Sequence, residues 1–167
     1  MKRDQLLIDK LRLTKHPEGG YFKETYRSNG TIEKDNLPIA YQGKRNFCTS
    51  IYFLLKSSEF SAFHKINQDE TWHFYEGSTI TIHQISPSGE YSKTTIGNDI
   101  LNNQFPQYTV NGDYWFGATV DENDSYSLVG CTVAPGFDFE DFELAERNNL
   151  QKKFPKHKNI IEELTRL

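Results

Sequence analysis

The chain has 167 residues, with 19 Lys and Arg against 23 Asp and Glu and a formal net charge of −4. That balance, without a basic stripe, argues against a nucleic-acid partner, and no apolar run approaches the roughly 18 residues of a membrane span. Apolar residues are only 36% of the chain, but 14% are aromatic and each large ring buries much surface, so the length supports one domain, 1–167, with a real core.

The start of the chain, Met1 to Gln5, is charged and polar, and polarity returns at Asp9 and Lys10. It lacks the apolar stretch of a secretion signal, which places the expected protein in the cytoplasm. Leu6, Leu7, Leu11 and Leu13 recur at helical spacing and predict a short amphipathic helix over 3–13. His16-Pro17-Glu18-Gly19-Gly20 breaks it, and residues 21–27 alternate as a strand. The polar stretch 28–46 reads as a long loop, of a length usually reserved for a lid or an interface arm. A dense series of strands follows, over 47–55, 60–65, 70–76, 79–85, 91–96, 108–110, 115–120 and 125–133, separated by Gly, Pro, Asn and Ser clusters. This rhythm predicts an all-β sandwich or barrel and no doubly wound α/β fold. Phe137, Phe139 and Phe142 form a candidate aromatic plug for one end of a barrel, and 144–153 and 156–167 read as C-terminal helices, with Pro155 opening the second. Cys48 and Cys131 form no CxxC pair and sit in apolar runs, which is the pattern of buried reduced thiols.

Three histidines, His64, His73 and His83, fall within twenty residues, with Glu70 between the first two. Residues two apart on a strand share a face, so His64 and Ile66 point the same way and Glu70 meets them across a turn. A carboxylate aimed into a barrel is costly unless paired or bound. Strict alternation turns His73 to the opposite face from Glu70 unless a bulge intervenes, and His83 reads as a strand-surface residue. Glu18 and Tyr21 follow a glycine turn that can bring them to the barrel mouth. Trp72, Phe74, Trp115 and Phe116 read as core or pocket wall.

His64, Ile66, Glu70 and Gly77 resemble the first cupin motif, with Ile66 where a second histidine usually stands. The second motif, Pro-x-Gly-x-x-His, is matched only by Asn111, Asp113 and Phe116, so two of four metal-ligand positions are replaced. A narrower resemblance spans nearly the whole chain: His16 to Tyr21, Ser61 to His64, Glu70 to Gly77, and Leu128 to Phe142 are similar to the cupin-like family of unknown function that begins with HPEGG. Asn111-Gly112-Asp113-Tyr114-Trp115 departs from that family's Pro-Ala-Gly-x-Trp turn. The resemblance implies a cupin-type double-stranded β-helix, an RmlC-like jelly-roll barrel with short N- and C-terminal helices, a homodimer and a ligand-sized interior. Exchange of the N-terminal strand between protomers is one way to cover the sheet edges.

Three functions stand open at this point. The first is a small-molecule-binding protein acting as an epimerase or isomerase on a sugar-like carbonyl compound, similar to the metal-free epimerase branch of the superfamily. His64 would be the general base, oriented by Glu70, and Tyr21 or Tyr75 would return the proton. Glu18, Trp72, His73, Phe74, Trp115 and Phe116 would line the ligand, and Arg27 and Arg45 are the arginines available to recognise it. The second is an oxygenase-like enzyme with a divalent metal on His64 and Glu70, completed by His73 or His16; the replaced positions favour a site without cofactor over this one. The third is a non-enzymatic ligand-binding or structural dimer.

Overall fold

Apolar and polar residues alternate along most strands, so each sheet has an inner and an outer face. A computed structural model describes residues 2–166 of the chain. In chain order the helices are α1 (Arg3–Leu11), α2 (Arg147–Lys153) and α3 (Lys158–Glu163). The strands are β1 (Thr14–Lys15), β2 (Tyr21–Arg27), β3 (Thr31–Ile32), β4 (Arg45–Asn46), β5 (Thr49–Lys56), β6 (Ser61–Lys65), β7 (Asp69–Gly77), β8 (Ile80–Ile85), β9 (Tyr91–Ile96), β10 (Gln107–Val110), β11 (Trp115–Val120), β12 (Tyr126–Ala134) and β13 (Glu143–Leu144). One sheet runs β1-β2-β5-β12-β7-β10 and the other β13-β6-β11-β8-β9, with β3 and β4 as a separate pair. The jelly-roll reading holds.

Between the sheets, Phe53, Leu55, Trp72, Ile80, Ile82, Phe116 and Val129 form a dry cluster that fills one end of the barrel. A fully buried side chain of this size contributes roughly 1.5–3 kcal/mol. The outer faces are covered too. Leu7, Ile8 and Leu13 pack on Leu54 and Leu128 of the six-stranded sheet. Leu150, Phe154, Ile161 and Leu164 pack on Phe63, Ile85 and Trp115 of the five-stranded one.

Some expected bounds shift for local reasons. The helix expected from residue 144 starts only at Arg147, because Glu143 and Leu144 pair with Lys65 and His64 instead. Glu146 then caps it, accepting from the Asn148 and Asn149 N–H groups, which satisfies donors that a helix start leaves free. The last helix is a 3-10 turn, Pro155–His157, followed by α3; Leu167, its expected end, lies outside the described residues. Segment 28–46 is not a structureless loop: it carries β3, a 3-10 turn at Lys34–Asn36, and β4.

Candidate functional site

The end of the barrel opposite the dry cluster stays open. Alternation along β5 turns Thr49, Ile51 and Phe53 inward, and β12 adds Cys131 and Val133. His64 comes from β6, and Ile66 lies just beyond it. Glu70 opens the inward row of β7. Together they enclose a cavity of about 240 Å³. That is room for several waters or for a small ligand of about monosaccharide size.

A turn from the other end of the chain completes the wall. Gly19 and Gly20 have φ of +119° and +72°, conformations that a side chain would strain. This lets the chain fold against β6, where the Ala62 N–H donates to the Glu18 carbonyl at 2.8 Å. The turn delivers Glu18 between two imidazoles. Glu18 Oε2 is 3.1 Å from His64 Nε2 and 3.4 Å from His16 Nδ1, and Glu18 Oε1 accepts from Ser61 Oγ at 2.9 Å.

The Ala62 carbonyl, 2.7 Å from His64 Nδ1, can only accept, so Nδ1 carries the hydrogen. His64 Nε2 is then left as the basic nitrogen, and it lies 3.1 Å from Glu18 Oε2, close enough for a proton on either atom to pass to the other. His16 Nδ1 accepts the Glu18 backbone N–H at 3.3 Å, which puts the His16 proton on Nε2. Burial raises the Glu18 carboxyl against the pull of His16 and Ser61, and burial lowers both imidazoles. Each shift favours the uncharged form of its group.

Glu70 differs. It is buried at 9% exposure, yet no donor among the described residues closes a hydrogen bond to its carboxyl. Burial, reinforced by the nearby Glu18 and opposed by His64, raises it to about 7. The Cys131 thiol and the Trp72 indole lie close enough to temper that shift, but the buried indole N–H has no hydrogen-bond partner. Burial and Glu70 together hold the thiol well above its usual value, so Cys131 stays an inert wall.

Phe137, Phe139 and Phe142 pack ring on ring over the opening, as expected of a plug, and Phe142 stacks 5.4 Å from His64. A bulge in β2 between Glu24 and Tyr26 re-aims the strand so that Arg27 reaches the mouth. There Arg27 is held by both Glu24 carboxylate oxygens, by Asn46 and by the Phe137 carbonyl. Arg45 does not face the cavity; it is locked to Asp141.

The structure brings His64, Glu70 and Glu18 together and corrects several other expectations. Glu18, not Glu70, contacts the His64 ring nitrogen. Tyr21 begins β2 on the outer face, beneath α1 and under the Lys15 ammonium. Tyr75 is half exposed on that same outer face, beside Tyr52. His73 also points outward, to Thr132 Oγ1 at 3.1 Å, as strict alternation demands. His83 is an outer-face residue bonded to Tyr91 and Thr119. Trp72 and Phe74 belong to the dry core and not to the cavity wall. Trp115 faces the C-terminal helices, and Phe116 is core, its ring 4.1 Å from that of His64. Sequence reasoning gave His16 only a spare-ligand role, although it stands in the polar run beside the glycine turn, and gave Ser61, the first residue of β6, no role beyond its motif.

The residues do not fit the metal that a cupin barrel implies. Ile66 occupies the second ligand position and the Phe116 ring stands at the fourth. Both His64 nitrogens are engaged, and His73 is on the wrong face. Among the described residues no group of three or more His, Cys, Asp or Glu has the geometry to hold an ion.

Comparison with known proteins agrees with this architecture. The pattern described as Cupin superfamily (DUF985) matches residues 5–145. An uncharacterized protein of Saccharomyces cerevisiae, YML079W, is 34% identical over 146 residues, 82% of this chain and 72% of that one. Protein SO0799 from Shewanella oneidensis superposes with a TM-score of 0.89 at 37% identity, over 99% of both chains. A hypothetical protein from Leishmania major gives 0.88 at 32% identity, over 98% of both. Oxalate decarboxylase from Bacillus subtilis is similar in fold alone, with a TM-score of 0.54 and 13% identity over 90% of this chain and 36% of that one. No helix among the described residues is long and apolar enough to cross a membrane.

Proposed function

The chain belongs to the DUF985 family of the cupin superfamily, and from that premise we propose that it is a small-molecule-binding cupin that moves protons on a carbonyl compound without a metal. The observation that carries this reading is Glu70, a buried carboxyl raised to about 7 that faces the same cavity as the Glu18–His64 proton pair. A carboxyl raised into the neutral range, facing a second buried acid–base pair, is what proton transfer at ordinary pH needs.

The reaction is an epimerisation or isomerisation next to a carbonyl. The Glu18–His64 pair, with Glu18 as the carboxylate and His64 neutral, takes the proton from the carbon beside the carbonyl onto Glu18 Oε2 or His64 Nε2. The C–H electron pair moves into the carbonyl to give an enolate. Glu70, in its protonated form, delivers a proton to the opposite side of that carbon and becomes a carboxylate. Glu70 thus fills the role first expected of Tyr21 or Tyr75, and the two groups reset by exchanging a proton through the cavity. The aromatic plug keeps bulk water from the enolate.

A purely structural barrel is the weaker reading, because it predicts a dry interior and this one leaves two carboxyls and two imidazoles around a void. The metal-dependent reading lacks a ligand set, and the oxalate of the fold neighbour comes from a likeness of fold alone. The homodimer remains part of the proposal; sedimentation would give twice the chain mass if it holds. The test of function is deuterium wash-in, followed by NMR in D₂O over a panel of uncharged hydroxy-ketones and ketoses. Exchange at the carbon beside the carbonyl, lost in His64→Ala and in Glu70→Gln, is expected. No exchange with any member, or exchange indifferent to both substitutions, would sink the reading.

A further inference from the structure

The charge around the cavity is one-sided. Four carboxyl side chains line it or its mouth, Glu18, Glu24, Glu70 and Asp138, against a single guanidinium, Arg27. That guanidinium is spent. Its Nη2 and Nε donate to both Glu24 oxygens at 2.7 and 2.9 Å, its Nη1 to Asn46 Oδ1 at 2.9 Å, and Nη2 again to the Phe137 carbonyl at 3.1 Å. No lysine lines the cavity. Arg45, the other arginine near this end, is 3% exposed and closed off by Asp141 and Glu140. The remaining wall is largely apolar and aromatic, apart from Thr49 and the imidazoles of His16 and His64, both of which burial shifts toward the uncharged form.

Sites that take carboxylates or phosphates present forked guanidinium groups, backbone N–H nests or helix starts to them. This cavity has no free guanidinium or ammonium to present, and an anion inside it would lose its hydration with no positive group to replace it. A cation would be drawn to Glu70, but it would hold that carboxyl ionised and leave it without a proton to give. An uncharged hydroxy-carbonyl compound meets neither objection. Its carbonyl and hydroxyl groups can pair with the unbonded Glu70 carboxyl, and its carbon skeleton can lie on Phe22, Phe139 and Phe142.

We propose that the cavity selects an uncharged hydroxy-carbonyl compound of monosaccharide size or smaller, and rejects carboxylates, phosphates and nucleotides. This rests on the proton-transfer reading for the choice of a carbonyl compound, whereas the rejection of anions rests on the wall alone. The experiment uses the full chain labelled at its histidine rings and follows the His64 imidazole signals. The probes are dihydroxyacetone and xylulose as uncharged compounds, dihydroxyacetone phosphate and glucuronate as anions, and glucosamine as a cation. The uncharged probes should shift His64, with the anions about tenfold weaker or more, and Glu70→Gln should narrow that gap. Anions that bind as tightly as the uncharged probes, glucosamine ranking first, or no uncharged probe moving His64 would each overturn the proposal. Binding in the expected order without deuterium exchange would keep the charge selection and sink the proton-transfer reading, so the two fail separately.

Discussion

Asp141 and Glu70 are two buried carboxyls at the same end of the barrel, and the chain treats them in opposite ways. Asp141, 7% exposed, accepts from Arg45 Nε and Nη2 at 2.7 and 2.8 Å, from Gln68 Nε2 at 2.7 Å and from Asn67 Nδ2 at 3.1 Å. Glu70, 9% exposed, accepts from no donor in hydrogen-bonding geometry among the described residues. The first arrangement is closed: it ties β4, the turn before β7 and the aromatic plug into one unit. The second is left open toward a void. Buried polar groups are ordinarily satisfied, and the exceptions call for an explanation. On the proposed function, the partner that Glu70 faces in the void is the ligand.

Substitutions should separate the two sites. Asp141→Ala leaves the buried Arg45 guanidinium only its longer contact with Glu140, and removing one partner of a buried pair costs about 3–5 kcal/mol. We expect the largest loss of stability here, read as a fall in the urea midpoint, with loosening of the plug. An unchanged midpoint would show that the Arg45 cluster is not the anchor described.

Glu70→Gln should do the reverse, and only at higher pH. A carboxyl raised from 4.5 to about 7 makes the folded protein bind more protons than the unfolded chain in that interval, so its contribution to stability falls as pH rises through it. Gln mimics the protonated form and removes that fall. The variant should match the parent below about pH 4.5 and exceed it above pH 7 by on the order of 3 kcal/mol at most. The lowered His16 and His64 work in the opposite sense, supplying stability as pH rises toward 6.5, and they cancel largely in the comparison. A gain equal at all pH values would mean that Glu70 does not carry the raised proton affinity.

Phe139→Ala touches the opening and not the core, since Phe139 is 51% exposed. It should cost no more than about 1 kcal/mol while speeding entry and exit of a bound ligand, measured by NMR line broadening. Tyr75→Phe is the smallest change. With its ring on the outer face, it should stay within about 0.5 kcal/mol of the parent and leave the His64 signals where they were. A shift of His64 on that substitution would return Tyr75 to the site.

The legible parts of the sequence follow a simple period. Along β7 the alternation that sends Glu70, Trp72 and Phe74 inward also sends Thr71, His73 and Tyr75 outward, and both halves could be read from spacing. His64 and Ile66 follow the same rule. The illegible parts lie where period fails or distance is long. Glu18 reaches His64 across 46 positions by way of a glycine turn that belongs to no strand, so its role as the partner of His64 had no local signal. Tyr21 shares that turn's motif but starts a strand whose outward face it occupies. Trp115 and Phe116 are neighbours with opposite fates, because the outer face of β11 is also buried, beneath the C-terminal helices. A strand covered on both sides gives no polar face from which to read its direction.

The central claim is that Glu70 is an unpartnered acid–base group held near neutrality inside the barrel. Its carboxyl carbon can be followed by ¹³C NMR across pH, assigned by the signal missing from Glu70→Gln. The account predicts a midpoint near 7 that moves when a ligand enters the cavity. A midpoint at the ordinary glutamate value would mean that the carboxyl is solvated or satisfied, and the difference from Asp141 on which the function rests would be gone.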